Sequence, residues 1–488
     1  MPVTDELVRV ARGEVFSDAW TRTAYSVDAS HYEITPLAVV HPADQEDVQN
    51  ICRVCSAENQ TIVARGAGTG LLGQALSDGI VLDFTKHMNQ LLEIEEDYVV
   101  VQPGIVKGVL DRELRKRGKW LPPDPASSNY CTLGGMIANN SSGIHCLGYG
   151  DTVDFFEGAR FVFSDGSAGY ASSSDCDDRT GRLQGIVEPA IAHIQRTFPK
   201  VRKNSCGYRL DSVMRHGKFQ PHKILAASEC TLAIVTQAKF RIMDLPEHRS
   251  LGVAGFSDLG AAIASVPALL KLEPVALEMM DHTVVSISKN GSANGCLLFI
   301  EFAGAMQWVD RQLRACLQIV GQIGSTVEYA SDSQSLDRIW GARRGALNNI
   351  MKLTVGSRKP IGLIEDTVVP VDMLGTHVEG ILHEYKKKNL DYVMYGHAGD
   401  GNIHTRPLVD LDSEPQAGLV EGLATNVFRR VVASGGTITG EHGDGLARTP
   451  YIEMLYGPET LRIFKEVKEL FDPQFLLNPG KKLSVRVQ

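Results

Sequence analysis

One glycine-rich loop limits the fold more than any other feature of this chain. The segment TIVARGAGTGLLGQALSDGIVLDF reads as a strand, then Gly68-Thr69-Gly70-Leu71-Leu72-Gly73, then a second strand. G-x-G-x-x-G after a strand suggests a dinucleotide-binding unit, but that unit must open a helix of about ten residues and place an acidic residue about twenty positions on. Here Gly79 and IVLDF arrive first, so a Rossmann unit is excluded. The glycines at 66, 68, 70 and 73 leave two readings: a plain hairpin turn, or a concave nest of backbone N–H groups that holds phosphate without a helix.

Composition narrows the class. A chain of 488 residues, 43% hydrophobic, exceeds one ordinary domain. Its 49 Lys and Arg against 58 Asp and Glu give a formal charge of −9, which argues against nucleic acid as a partner. No apolar run of about 18 residues predicts a transmembrane helix, and the charged N-terminal segment lacks a signal-peptide core. Nine scattered cysteines suit reduced thiols in a cytoplasmic protein. Cys52 and Cys55 follow Val48 and Ile51 at helical spacing, which predicts core packing rather than redox or metal chemistry.

Residues 36–105 read as alternating strand and helix, followed by an amphipathic helix over VKGVLDRELRKRG and a hairpin around Asp165-Gly166. Near Pro246 the pattern changes to helices and strands of a separate α+β unit, and GPETLRIFKEVKELFD predicts a late helix with Leu461, Phe464, Val467 and Phe471 on one face. Four segments follow: 1–34, 35–246, 247–435 and 436–488.

A second unusual stretch runs from Pro122-Pro123-Asp124-Pro125 through Ser127 and Ser128 to Thr132-Leu133-Gly134-Gly135-Met136-Ile137-Ala138-Asn139-Asn140-Ser141-Ser142-Gly143. It reads as a long loop of small residues and amides, which admits a flat polar ligand close to the backbone. Two further segments carry metal-type side chains. GHAGDGNIH offers His397 and His404 around a Gly-Asp-Gly turn, and GGTITGEHGDG offers Glu441 and His442. Seven residues apart on a straight strand the two imidazoles would face opposite ways, whereas a tight turn lets them converge. Two His and one carboxylate suit a divalent metal with open positions; the alternative is a pair of polar glycine-rich turns.

R-G-A-G-T-G-L together with P-P-D-P-x-S-S…T-L-G-G-M-I-A-N-N resembles the FAD-binding domain of the vanillyl-alcohol-oxidase/PCMH flavoproteins. Ser228-Glu229-Cys230-Thr231-Leu232-Ala233-Ile234-Val235-Thr236 resembles that family's G-S-E-G-T-L-A-I-V-T segment. The resemblance runs from about residue 20 to 482 and lies with the FAD-linked D-2-hydroxyacid dehydrogenases: D-lactate dehydrogenase, the glycolate oxidase flavin subunit and D-2-hydroxyglutarate dehydrogenase. It implies an α+β fold, with a two-lobed PCMH-type FAD-binding domain, a ferredoxin-like α+β cap and a C-terminal helical segment.

The resemblance places Arg65, Gly66, Ala67, Gly68, Thr69 and Gly70 at the FAD pyrophosphate. It places Pro123, Asp124, Ser128, Gly134, Gly135, Ala138, Asn139, Ser142 and Gly143, with Glu229, Thr231, Ile234 and Val235, along the ribityl chain and isoalloxazine. Asn478 returns to the flavin from LLNPGK. Covalent relatives carry a histidine in the first loop and this loop has none, so FAD is expected to be non-covalent. His397, His404 and Glu441 become ligands of a divalent metal, zinc or manganese, and His442 the base.

The implied reaction loses a hydroxyl proton to His442 while the Cα hydride goes to the flavin, with the metal acidifying the alcohol. Trp340-Gly341-Ala342-Arg343-Arg344 resembles a W-x-x-R segment that puts Arg343 on the substrate carboxylate, and Tyr208 falls in a segment near the active site. Cys230 departs from the family glycine and would be strained if φ is positive. Ile364 stands where hydroxyglutarate-oxidising relatives have Lys, with Lys352, Arg358 and Lys359 as possible substitutes.

The expected activity is a D-2-hydroxyacid dehydrogenase acting on D-lactate or a similarly small acid, with D-2-hydroxyglutarate second. A flavin-free metallohydrolase and a non-catalytic flavin subunit are the rivals. A quinone, cytochrome, electron-transferring flavoprotein or iron–sulfur subunit would take the electrons. A peripheral membrane location through that acceptor and a homodimer are both compatible with the sequence.

Overall fold

A computed structural model describes residues 2–215, 217–287, 295–323, 326–345, 350, 352–410 and 412–484. The first lobe is a four-stranded sheet. Ala38–His41 and Ile62–Arg65 both run parallel to Ile80–Asp83, and Glu14–Phe16 adds antiparallel to the edge. The helix Gln45–Ala57 covers it. Asp44 caps its N-terminus, accepting from the Asp47 amide at 3.0 Å, and Val48, Ile51, Cys52 and Cys55 are all fully buried beneath it. The two thiols are therefore core residues. Residues 66–79 form no helix, as the loop chemistry required.

The second lobe is a five-stranded antiparallel sheet. Its central strand, Ile234–Arg241, lies between Tyr98–Val101 and Phe156–Val162. Alternate residues of Ile234–Arg241 are buried, the pattern of a sheet with one covered face. The stretch read from sequence as one long loop is here corrected: Leu133–Asn139 is helical. Thr132 caps that helix by accepting from the Gly135 amide at 3.2 Å, and Asn140 closes it in the left-handed region at φ 51°. Two adjacent glycines suggested a loop. Burial of Leu133, Met136 and Ile137 overrides their low helix propensity.

From His248 onward a sheet of eight strands dominates. Its first four strands, His248–Phe256, Ala276–Met280, Cys296–Gly304 and Thr326–Ala330, are wound with the helices Leu259–Leu270 and Met306–Gln322. They lie in the spatial order fourth, first, third, second, all antiparallel, which is the ferredoxin-like arrangement. The hairpin Tyr392–His397/Asn402–Asp410 extends that sheet. The helix Glu414–Ala433, not anticipated from sequence, follows it.

The late helix Ile452–Phe471 kinks at Gly457. Phe464, Val467 and Phe471 are buried as expected, while Leu461 is half-buried and Ile463 takes its place in the core. Residues 476–482 then return to the first lobe, where Leu477 bridges Ile62. Among the described residues no helix is long and apolar enough to cross a membrane.

Candidate active site

Two loops and two sheets meet at one place. A cleft of about 1050 Å³ is lined by Gly66 to Gly70, by Gly135, Ala138, Asn139 and Ser142, and by Glu229, Glu441 and His442. A side chamber of about 470 Å³ shares Gly66, Thr132, Gly135 and Ala138 with it and adds Arg65, Gly134 and Val235. Small residues at the shared wall leave a slot with backbone close to its floor, which fits a flat, extended ligand.

Several residues assigned to the cofactor turn their side chains away from these walls or stand behind them. The Arg65 guanidinium turns away and donates to the carbonyls of Tyr25 and Val27, at 3.2 and 2.8 Å. Asp124 holds His145 at 2.8 Å, and the Ser128 hydroxyl closes a turn on the Pro125 carbonyl. Pro123 is buried and lines neither chamber. Ile234 is fully buried in the core. Asn478 ties the loops together from behind, donating to the carbonyls of Gln74 and Glu229 at 2.9 and 2.7 Å.

The placement of Tyr208 near the chemistry is corrected. It is fully buried, bonded to the Thr231 hydroxyl at 2.8 Å and packed on Phe464, because the Lys203–Tyr208 segment runs inward beneath the cleft.

Glu229 lines the cleft, but its carboxylate faces the amides of Asp444 and Gly445 and the Lys482 ammonium at 3.2 Å. Lys482 also pairs with Asp444 at 2.7 Å, all three side chains being fully buried. Removing that cation would strand two buried carboxylates. Lys482→Met is therefore expected to lower unfolding stability by about 3–5 kcal/mol, measured by denaturant titration.

Cys230 does have a positive φ, +59°, and follows Glu229 at +51°. Its thiol reaches the Ala233 carbonyl at 3.5 Å, and burial pushes its pKa up to about 11. A β-branched residue is excluded from this conformation more strongly than Cys. Cys230→Val is expected to melt several degrees lower, while Cys230→Gly holds the wild-type melting temperature within a few degrees.

A third chamber, of about 490 Å³, adjoins the cleft and shares Leu71, Ala126, Glu441 and His442 with it. His397, His404, Arg343, Tyr395, Gly143 and Ile144 complete it. The hairpin explains the convergence of the imidazoles. His397 ends one strand, Gly401 turns the chain at φ 69°, and His404 lies opposite Tyr395 on the return strand. The His397 and His404 rings sit 5.1 Å apart.

Three imidazole Nε2 atoms point at the same Glu441 oxygen: His397 at 3.0 Å, His404 at 3.3 Å and His442 at 3.8 Å. Each Nδ1 is held by a carboxylate that the sequence did not reveal. Glu278 takes His397 at 2.6 Å; Glu365 takes His404 at 2.9 Å and His442 at 2.6 Å. The other Glu441 oxygen accepts from Ser142 at 2.5 Å and Lys203 at 3.0 Å.

Burial works against charge at Glu441, yet Lys203 and His397 outweigh it and hold the carboxyl well below its usual range. Burial likewise opposes the charged form of His397, but Glu278 and Glu441 hold its pKa up at about 9. His442 is raised against its burial by Glu365 and Asp366.

Carboxylate–histidine pairs converging on one point are how metal ligands are oriented. Asp366, with His404, Glu441 and His442 but not His397, forms a group whose ligand-type atoms all lie within 4.8 Å of one another. Its oxygens are already engaged: they accept from the amides of Gly440 and His442, from the Thr439 hydroxyl and from Arg448 and Asn402. Asp366 anchors the 439–442 loop; the remaining donors are the three histidines and Glu441.

Arg343 ends the helix Ser333–Arg344, is 5% exposed, and pairs with Glu278 at 2.6 Å. Its Nε has no hydrogen-bond partner among the described residues, so a donor remains for a ligand. Ile364 is buried, and Lys352, Arg358 and Lys359 do not line the chamber; Arg358 pairs with Asp391.

Family models match the chain in two parts: a FAD binding domain over residues 36–168 and the C-terminal domain of FAD linked oxidases over 245–482. The glycolate oxidase subunit GlcD of Bacillus subtilis is 31% identical over 98% of this chain and 96% of that protein.

The chain belongs to the FAD-linked oxidases.

Other members of this FAD-linked oxidase family are similar along most of the chain. A D-2-hydroxyglutarate dehydrogenase of Haemophilus influenzae is 29% identical over 96% of this chain, which spans only 50% of that relative's length. A probable mitochondrial D-lactate dehydrogenase of Danio rerio is 28% identical over 92% of this chain and 85% of that protein. Among solved structures, 4-ethylphenol oxidase from Gulosibacter chungangensis superposes with a TM-score of 0.74 at 16% identity, covering 99% and 96% of the two chains, a likeness of fold. An FAD-dependent oxidoreductase is thus the setting in which the three chambers are to be understood.

Proposed function

We propose that this FAD-linked oxidase is a dehydrogenase that converts a small D-2-hydroxyacid, D-lactate foremost, into the 2-oxoacid. The observation that carries the reading is the shared wall: Glu441 and His442 line both the long cleft and the chamber holding His397, His404 and Arg343. Substrate in that chamber would lie against whatever occupies the cleft. Two electrons and two protons leave the acid. FAD, held non-covalently, supplies the two-electron acceptor.

The residues divide the rest of the work. Arg343 offers its free N–H and fixed charge to the substrate carboxylate. Leu71, Ala126 and Ile144 form an apolar wall for a short side chain, which favours D-lactate over a dicarboxylate such as D-2-hydroxyglutarate. His442 takes the hydroxyl proton at Nε2, with Glu365 on Nδ1 fixing the tautomer and stabilising the imidazolium. Ser142 and Lys203 hold Glu441 so that its free oxygen faces the histidines. A divalent zinc or manganese ion on His397, His404 and Glu441 would supply Lewis acidity toward the hydroxyl.

Anaerobic mixing with matched D- and L-2-hydroxyacids tests the reading. D-lactate should bleach the flavin absorbance and L-lactate should not; no bleaching with any member of the panel would end it. Arg343→Met is expected to raise KM for D-lactate by roughly tenfold to a hundredfold, the loss of about 1.5–3 kcal/mol from a charged hydrogen bond, with flavin content unchanged.

A further inference from the structure

One buried polar group outside the reacting set connects the two halves of the molecule. His145 follows the Gly143-Ile144 wall of the substrate chamber and is 6% exposed. Its Nδ1 meets Asp124 at 2.8 Å, and its own amide donates to the other Asp124 oxygen at 3.1 Å. Its Nε2 faces Glu301, on a strand of the eight-stranded sheet, at 3.3 Å. The same Glu301 accepts the Trp340 indole N–H at 2.5 Å and is gripped by Arg249 at 2.7 and 3.0 Å.

Trp340 lies one helical turn before Arg343, on the same helix and close to the same face. Burial disfavours a charged His145, but Asp124 and Glu301 outweigh it and hold its pKa up at about 10. The ring therefore sits as a cation between two carboxylates, edge-on to Trp340 at 5.9 Å. His145 lines neither the cleft nor the two chambers, yet such a buried group is costly unless every partner stays in place.

We propose that His145 is a positioning residue: through Glu301 and the Trp340 indole it sets the helix Ser333–Arg344 against the Asp124–Gly143 segment, and so fixes where Arg343 presents its guanidinium. The inference rests on the reading of Arg343 as the carboxylate anchor. Misplacement by about an ångström in such an anchor costs up to about a hundredfold in rate or affinity. His145 would thereby make the geometry of the substrate anchor depend on the same loops that wall the flavin cleft.

The test uses His145→Ala and the milder Trp340→Phe, which deletes the indole N–H donor and part of the buried ring volume but keeps an aromatic ring. Two readouts are taken on the full-length flavoprotein. Amide hydrogen exchange within Ser333–Arg344 should quicken in both variants, with bound flavin and its visible spectrum as in wild type. KM for D-lactate should rise roughly tenfold or more, with a smaller change in kcat, and neither substitution should raise it further in an Arg343→Met background.

Unchanged exchange in that helix in both variants would overturn the link. KM effects that multiply with Arg343→Met would overturn the route through Arg343. If wild type turns over no 2-hydroxyacid, the proposed function fails, and the exchange measurement still decides whether His145 holds the helix.

Discussion

His442→Ala is expected to cut flavin reduction by D-lactate by about 10²–10⁴-fold while leaving FAD bound. The size follows from the work assigned to the group. A general base in hydrogen-bond reach of a weakly acidic hydroxyl contributes about that factor, and among the described imidazoles of the chamber the His442 Nε2 lies farthest from Glu441, at 3.8 Å. His397 and His404 point at the same Glu441 oxygen and serve the metal reading. The loop that carries His442 does not depend on its side chain, because the Glu441 and His442 amides, the Gly440 amide and the Thr439 hydroxyl are all anchored on Asp366. Stopped-flow reduction, with flavin content measured on the same sample, separates a missing base from a missing cofactor. Loss of FAD on substitution would overturn the role.

The second large effect concerns the metal. His397→Ala removes one of the three donors and leaves Glu278 without its imidazole partner, so bound divalent metal should fall to near background and turnover with it. Elemental analysis of purified wild type and variant reads this directly. Equal metal content in the two proteins would refute the ligand set. A Glu278→Gln variant should show a smaller loss, of about 10–100-fold in metal affinity, since it keeps all three donors and changes the group that orients one of them, the same group that pairs with Arg343.

The parts of the site that were legible in sequence are those written as contiguous motifs. His397 and His404 share one hairpin, Glu441 and His442 are neighbours, and the glycines at 66, 68 and 70 mark a loop by their backbone needs alone. What sequence did not show is the supporting ring. Glu278, Glu365, Lys203 and His145 come from four distant segments: Glu278 and His145 are lone polar residues among apolar neighbours, while Glu365 and Lys203 sit in short polar runs that do not say which member will turn inward. Nothing local distinguishes a buried glutamate that will hold an imidazole from an exposed one. The same limit explains Tyr208, whose motif neighbours approach the cleft while its ring turns inward, and Leu133–Asn139, where tertiary burial makes a helix of a glycine pair. Cys230 is the converse case: the family glycine at its position raised the question of a positive φ, and the backbone answers it at +59°.

The returning segment has a consequence for synthesis. Asn478 and Lys481 donate to the carbonyls of Gln74 and Leu76 across 404 and 405 residues of chain, and Leu477 bridges Ile62. A ribosome extends the chain at about 5–20 residues per second, so the first glycine loop emerges well before its last support exists. The early lobe must therefore wait with an unfinished wall. Flavin capture should come late, after the 476–482 segment docks, and newly made protein would depend on holding that lobe soluble in the interval.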